Sequence, residues 1–361
     1  MAAAKPGSDD EALLGAQLGT GDIEDERGNL VAALASYQSA KVLADRLAKA
    51  DPGNTLWQRE LALSYSKIGE VEIPRGNLSA ALASYQAGFA IFDRLAKSDP
   101  ANTGWQRDLV LSHDSLGDVQ LAQNDLGAAL GSYQTSLGIA DRLAKSDPGN
   151  TKWQRDLALA YGRVGDVQME QDDLTGALAS YRAGLPIAEQ LAKSDPGNAG
   201  WQRDLAVSYG KLADVQRAQS DLPGALGSAQ AGFAIFERQA KSDPNNALWQ
   251  SDLAVSTTGV GDVQLAQNNL PAALGSYQAG LAIFDRLAKS DPGNTEWQRD
   301  LSVTYDSLAV VYAKSKQMPK AREALSASRA IVAKMAAQHP DSPEWKQELA
   351  RVDQQLAAFK N

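Results

Sequence analysis

Cysteine is absent from the 361 residues, and histidine occurs only as His113 and His339. The first absence removes disulfides, thiolate metal sites and cysteine nucleophiles together. The second leaves no pair of imidazoles close in sequence to hold a metal. No run of Lys or Arg breaks a balance of 35 basic against 44 acidic residues, a net charge of −9. The chain therefore has no electrostatic footprint for nucleic acid. No apolar stretch approaches the roughly 18 residues that span a bilayer, so no membrane role is expected. The opening "MAAAKPGSDDEALLG" lacks a basic region followed by an apolar core, so no signal peptide is read and a cytoplasmic location is expected. What remains is 43% apolar and 22% charged, a composition that can bury a large core.

Tryptophan organises the chain. Trp57, Trp105, Trp153, Trp201, Trp249, Trp297 and Trp345 follow one another at intervals of 48 residues. A fixed period overrides any domain count based on length. Seven units are expected at 9–56, 57–104, 105–152, 153–200, 201–248, 249–296 and 297–344. The first is atypical and lacks the leading tryptophan. A flexible segment at 1–8 precedes them and a capping helix at 345–361 follows.

Each unit reads as two helices. Trp201, Leu205, Tyr209, Leu212 and Gln216 step by three or four residues, as do Leu126, Ala129, Tyr133, Leu137 and Ala140. Asn29, Asn77, Asp125, Asp173, Asp221 and Asn269 stand where the second helix needs a cap. Pro223, Pro271 and Pro319 fall in its first turn, where proline is tolerated. The recurrent "SDPGN" stops one helix. Thr with Gln three residues on, as in Thr151 and Gln154, then reads as a capping box for the next. In the units with Ala199 or Ala247 in the threonine's place, the cap falls to Asn198 or Asn246. Each tryptophan supplies a large apolar anchor between consecutive units. Pro186 lies mid-helix and is expected to kink or break it, and Pro74 to shorten the helix it ends.

The segment "LGDVQLAQNDLGAALGSYQTSLGI" at 116–139 resembles a tetratricopeptide repeat. The resemblance rests on the pair Leu116 and Gly117, the polar Asp125 opening the second helix, the small Ala129 where helices cross, and the aromatic Tyr133 one turn later. The family's helix-ending proline falls on Asp141, and the helix here runs on towards Pro148. Both helices are thus lengthened, in the manner of bacterial long-repeat arrays that accompany signalling or defence effector domains. The resemblance implies an all-α, right-handed superhelical solenoid of antiparallel helix pairs, with the first helix of each pair lining a concave face.

Chemistry-bearing motifs are few. "SHDS" at 112–115 sets Ser, His and Asp side by side, but neighbours on a helix point about 100° apart and form no relay. His113 fills a slot held by tyrosine in neighbouring units and reads as a core or interface residue, while His339 reads as a helix-end cap. "GTG" at 19–21 and "GVG" at 259–261 are too short for a dinucleotide fingerprint, and the carboxylate spacing follows the repeat rather than a calcium loop. No catalytic, cofactor or metal site is assigned, and no enzymatic activity is expected.

The fourteenth position of the unit is acidic in Asp22, Glu70, Asp118, Asp166, Asp214 and Asp262. In the family's frame it faces the groove with the seventh, tenth and seventeenth positions. Two readings of these acids stand side by side. One is a track for a basic or amide-rich peptide; the other pairs the acids with nearby Arg or Lys or leaves them in water. On the first reading, partner contacts fall on Asp118, Asp166, Asp214, Asp262, Leu121, Met169, Arg217, Leu265, Asp114 and Thr258. Leu111, Leu159, Val207 and Val255 supply further apolar pockets. The tenth and seventeenth positions vary between units as ligand contacts would, and as any exposed position would. The expected function is a protein–protein interaction scaffold whose partner is a protein or peptide. The alternatives are end-to-end self-assembly into oligomers or filaments, and a sensor array belonging to a longer effector protein.

Overall fold

A computed structural model describes residues 8–340 and 342–358, which form helices and turns with no strand among them. The flexible segment expected at 1–8 lies, apart from Ser8, outside the described residues. The helices are α1 (Ser8–Glu26), α2 (Leu30–Ala50), α3 (Thr55–Glu72), α4 (Leu78–Ser98), α5 (Thr103–Ala122), α6 (Leu126–Ser146) and α7 (Thr151–Glu170). They continue as α8 (Leu174–Ser194), α9 (Ala199–Ala218), α10 (Leu222–Ser242), α11 (Ala247–Ala266) and α12 (Leu270–Ser290). Last come α13 (Thr295–Lys314), α14 (Met318–Gln338) and α15 (Pro343–Ala358).

The helices gather into two compact bodies, one ending at Ile187 and the other beginning at Ala188, within α8. In the first body, Leu43, Leu47, Ile91, Phe92, Leu95, Ile139 and Leu143 form one continuous core, against which Trp57, Trp105 and Trp153 pack half-buried. In the second body, Phe284, Leu287 and Leu301 form a core with Trp297 against it. Trp345 is buried with Val332 and Met335, so α15 covers α14 through its indole. Consecutive helices of about 20 residues joined by turns this short must run antiparallel to pack on each other.

The repeated dozen residues are now explained position by position. In "SDPGNTKWQRDL" (146–157) the Ser146 hydroxyl donates to the Leu143 carbonyl at 2.7 Å, and the Asp147 amide donates to the same carbonyl at 3.3 Å. Asp147 Oδ1 then accepts the Gly149 amide at 3.1 Å. Asn150, not Thr151, is the cap: its Oδ1 accepts the Trp153 amide at 3.3 Å while its backbone stays extended. The same holds at Asn54, Asn102, Asn198, Asn246 and Asn294. This corrects the capping-box reading, because the threonine already lies inside the helix and its hydroxyl sits one residue too late. Gln154, freed from that box, reaches back and donates to the Ala144 carbonyl at 3.1 Å. It thereby satisfies one of the carbonyls that the end of α6 leaves without a helical partner. Gln202, Gln250 and Gln298 do likewise for Ala192, Ala240 and Ala288.

The turn inside each hairpin needs one residue with positive φ, the usual left-handed stop of a helix. Gly28 and Gly76 supply it first, then Asn124, Asp172, Ser220, Asn268 and Lys316. Asn29, Asp125, Asp173, Asp221 and Asn269 cap the following helix as expected. Asn77 does not. Its amide donates instead to Glu72 at 2.7 Å. Pro74 shortens α3 to 18 residues, against 20 for α5. Pro186 lies inside α8, and the helix continues past it to Ser194. One missing donor is a local loss that a helix of 21 residues absorbs.

Arginine at the third position of one unit grips aspartate at the fourth position of the next. Arg107 donates to Asp156 at 2.6 and 3.1 Å, as Arg59 does to Asp108 and Arg203 to Asp252. Where Ser251 replaces that arginine, Asp300 has no such guanidinium. Burial pushes its pKa up to about 6, with Glu296 adding to the rise and Arg299 opposing it. A raised carboxyl favours the folded chain while protonated and loses that contribution as pH climbs through its folded value. Asp300→Asn is therefore expected to stabilise the second body by about 1 kcal/mol at pH 7.5, a figure reduced for partial solvent exposure. The gain should shrink as pH falls and vanish below pH 3.8, the ordinary value of the carboxyl. Thermal unfolding on both sides of that value checks this, and an equal gain on both would refute it.

Candidate functional site

The first helices α5, α7, α9, α11 and α13 each leave an apolar residue in water at the unit's seventh position, whereas Leu63 of α3 packs half-buried against the core. Leu111 and Leu159 do so in the first body, and Val207, Val255 and Val303 in the second. The other side of the same helices is buried, so the exposed stripe is fixed by the packing of its reverse face.

Beside this stripe stand the fourteenth-position acids, and most are engaged. Tyr133 Oη donates to Asp118 Oδ1 at 2.6 Å, Tyr37 to Asp22 at 2.8 Å, Tyr181 to Asp166 at 2.9 Å and Tyr277 to Asp262 at 2.6 Å. Burial, and the bonded carboxylate after it, pushes the Tyr133 phenol up. A cation from the eleventh position of the following unit joins some of these pairs. Arg163 bonds Asp118, and Lys67 approaches Asp22 at 3.2 Å. Arg163 also lies over the Tyr133 ring at 5.7 Å, and Lys67 over the Tyr37 ring at 5.9 Å.

Each such tyrosine needs a glycine opposite. A Cβ at Gly117 would lie 2.4 Å from the Tyr133 ring, and one at Gly165 would lie 2.4 Å from Tyr181. In α9 and α10 the pair is Ala213 and Ala229 instead. The ring is gone, and a cavity of about 600 Å³ opens there. Val207 and Asp214 from α9, Ala229 and Phe236 from α10, and Val255 and Gly259 from α11 are among its walls.

The other residues expected to meet a partner are distributed unevenly. Asp214 and Arg217 are exposed and 3.3 Å apart on α9. Asp114 is buried, its carboxyl raised to about 6 by burial with Arg163 opposing, and one of its oxygens has no hydrogen-bond partner. Leu121 and Leu265 are half-buried against core clusters of the first and second bodies. Met169 is half-buried, and the Thr258 hydroxyl donates to the Val255 carbonyl at 2.8 Å. His113 packs edge-on to Phe89 with ring centroids 4.9 Å apart, and burial lowers its pKa. The sequence reading missed the tyrosine–acid bonds and the cavity. Their signal was present: Ala213 and Ala229 depart together from the pattern.

Stacked helix hairpins with short turns and an exposed stripe on those first helices define a helical-repeat fold of the tetratricopeptide type. No protein-family model and no curated protein matches the chain. Solved structures do. The tetratricopeptide-sensor STAND signal-transduction ATPase of Pyrococcus horikoshii is 15% identical with a TM-score of 0.59, over 95% of this chain and 44% of that one. BtubC of P. vanneervenii is 21% identical at a TM-score of 0.55, over 72% of this chain and 92% of that one. The Rap conjugation gene regulator of plasmid pLS20, in complex with the Phr* peptide, is 15% identical at 0.52, over 90% and 74%. Likeness at such identities shows the fold alone. Among the described residues no helix is long and apolar enough to cross a membrane.

Proposed function

We propose that the chain is a non-catalytic scaffold that binds a protein or peptide along the exposed stripe of first helices within a body, foremost that of Val207, Val255 and Val303 in the second. The observation that carries this reading is the recurrence of solvent-exposed Leu111, Leu159, Val207, Val255 and Val303 at one repeat position. Valine and leucine left exposed in five units at one repeat position are not required there by the core, and grouped exposed apolar residues mark interaction sites. A fold neighbour that holds a peptide adds support. Regularly spaced weak contacts suit an extended partner, because each one raises the effective concentration for the next.

Val207→Asp with Val255→Asp tests this reading, since neither side chain fills a core cluster. Capture of partners from native lysate is expected to fall at least tenfold with the unfolding midpoint unchanged. Undiminished capture would overturn the proposal. Light scattering run alongside separates the self-assembling alternative, which requires a mass that grows above 38.3 kDa with concentration.

A further inference from the structure

The cavity between α9 and α11 is defined by two losses that converge on one carboxylate. Asp118 shows the complete arrangement, in which Tyr133 bonds the acid from within its own hairpin and Arg163 bonds it from the next. Asp22 repeats it with Tyr37 and Lys67. At Asp214 the tyrosine position is Ala229 and the cation position is Gly259. A Cβ at Gly259 would meet nothing within 4 Å, so the cation's place is open space. Asp214 is paired with Arg217, two side chains that are 40% and 61% exposed, and Lys211 of the same helix also stands on the cavity wall. So exposed a pair contributes little and yields readily to a competitor. Arg203, another basic group on the wall, is committed to Asp252 at 2.7 and 2.9 Å.

We propose that this cavity receives an arginine–aromatic side-chain pair from a partner peptide, the ring replacing the missing tyrosine and the guanidinium the missing cation at Asp214. The inference rests on the scaffold reading and names the chemistry of its best-formed subsite. The molecule supplies its own template, since a cation stacked on a ring fills the equivalent place at Asp118. Val207, Val255 and Phe236 give the ring apolar walls, and a volume of about 600 Å³ is ample for two side chains. Arginine suits the site better than lysine, because a planar guanidinium can meet a carboxylate while stacking on the ring.

The probe is the tetrapeptide amide acetyl-Gly-Tyr-Arg-Gly, observed by saturation-transfer NMR on the full chain, with a citrulline version as its neutral counterpart. The arginine peptide is expected to bind at least tenfold more tightly than the citrulline one. Asp214→Asn should remove that difference. Two refilled chains, Gly259→Arg and the double change Ala213→Gly with Ala229→Tyr, should bind the peptide at least tenfold more weakly while melting no lower than the parent. No binding by the parent chain, equal binding of both peptides, or undiminished binding by the refilled chains would each overturn the inference. If partner capture still depends on Val207 and Val255 while the peptide fails to bind, the scaffold stands and this subsite falls. Loss of that capture dependence removes the scaffold reading itself.

Discussion

Tyr133→Ala is expected to destabilise the first body by about 3–5 kcal/mol, the range for deleting a buried aromatic side chain. Tyr133 is 2% exposed, lies against Gly117, and bonds Asp118 at 2.6 Å. Three consequences follow from one change: a cavity, a carboxylate without its phenol, and an arginine without the ring beneath it. Gly117→Ala alone is expected to cost about 1–3 kcal/mol, because its new methyl would press on a ring that cannot swing aside. The double change should cost less than the sum, by at least about 1 kcal/mol, since the methyl then enters the space that the ring left. The second body already carries that solution as Ala213 and Ala229. Urea unfolding, fitted with nearest-neighbour coupling between hairpins rather than as two states, is the suitable measurement. Strict additivity would show that glycine and tyrosine are not partners.

Arg107→Ser is the second large effect. Asp156 has a side chain only 10% exposed and receives two hydrogen bonds from Arg107. Removing one member of a buried pair leaves the other's charge uncompensated. Because Arg107 itself is 36% exposed, the expected loss is trimmed to about 2–3 kcal/mol at pH 7.5. Ser251 and Asp300 are this change already made in the same chain, and there the acid rises to about 6. Adding Asp156→Asn should recover much of the loss, because a neutral amide leaves no buried charge uncompensated. A loss that Asp156→Asn leaves undiminished would assign the effect to packing of the arginine stem instead of charge.

Much of this was legible without coordinates. The interval between tryptophans gave the period, and side-chain periodicity gave two helices per unit. The asparagine and aspartate caps, the first-turn prolines and the effect of Pro74 depend on atoms a few residues apart, which a single sequence displays directly. Thr151 and Asn150 show where such reasoning slips by one residue. Either can cap, and the choice depends on which backbone stays extended. Pro186 removes one backbone donor as its local rule requires, yet α8 runs on past it to Ser194. The fourteenth-position acids were found, but not their occupancy.

The sequence by itself determined the repeat, the helices and their punctuation, because those follow from backbone geometry over one or two turns. The folded structure alone decided which acid meets which tyrosine, which arginine crosses to the next unit, and why Ala229 and Gly259 together leave Asp214 beside an open cavity. Those partners stand 15, 45 or 49 residues apart along the chain. The first encounter depends on how the two helices of one hairpin cross and the other two on how far one hairpin is offset against the next, both set by the packing of many side chains at once.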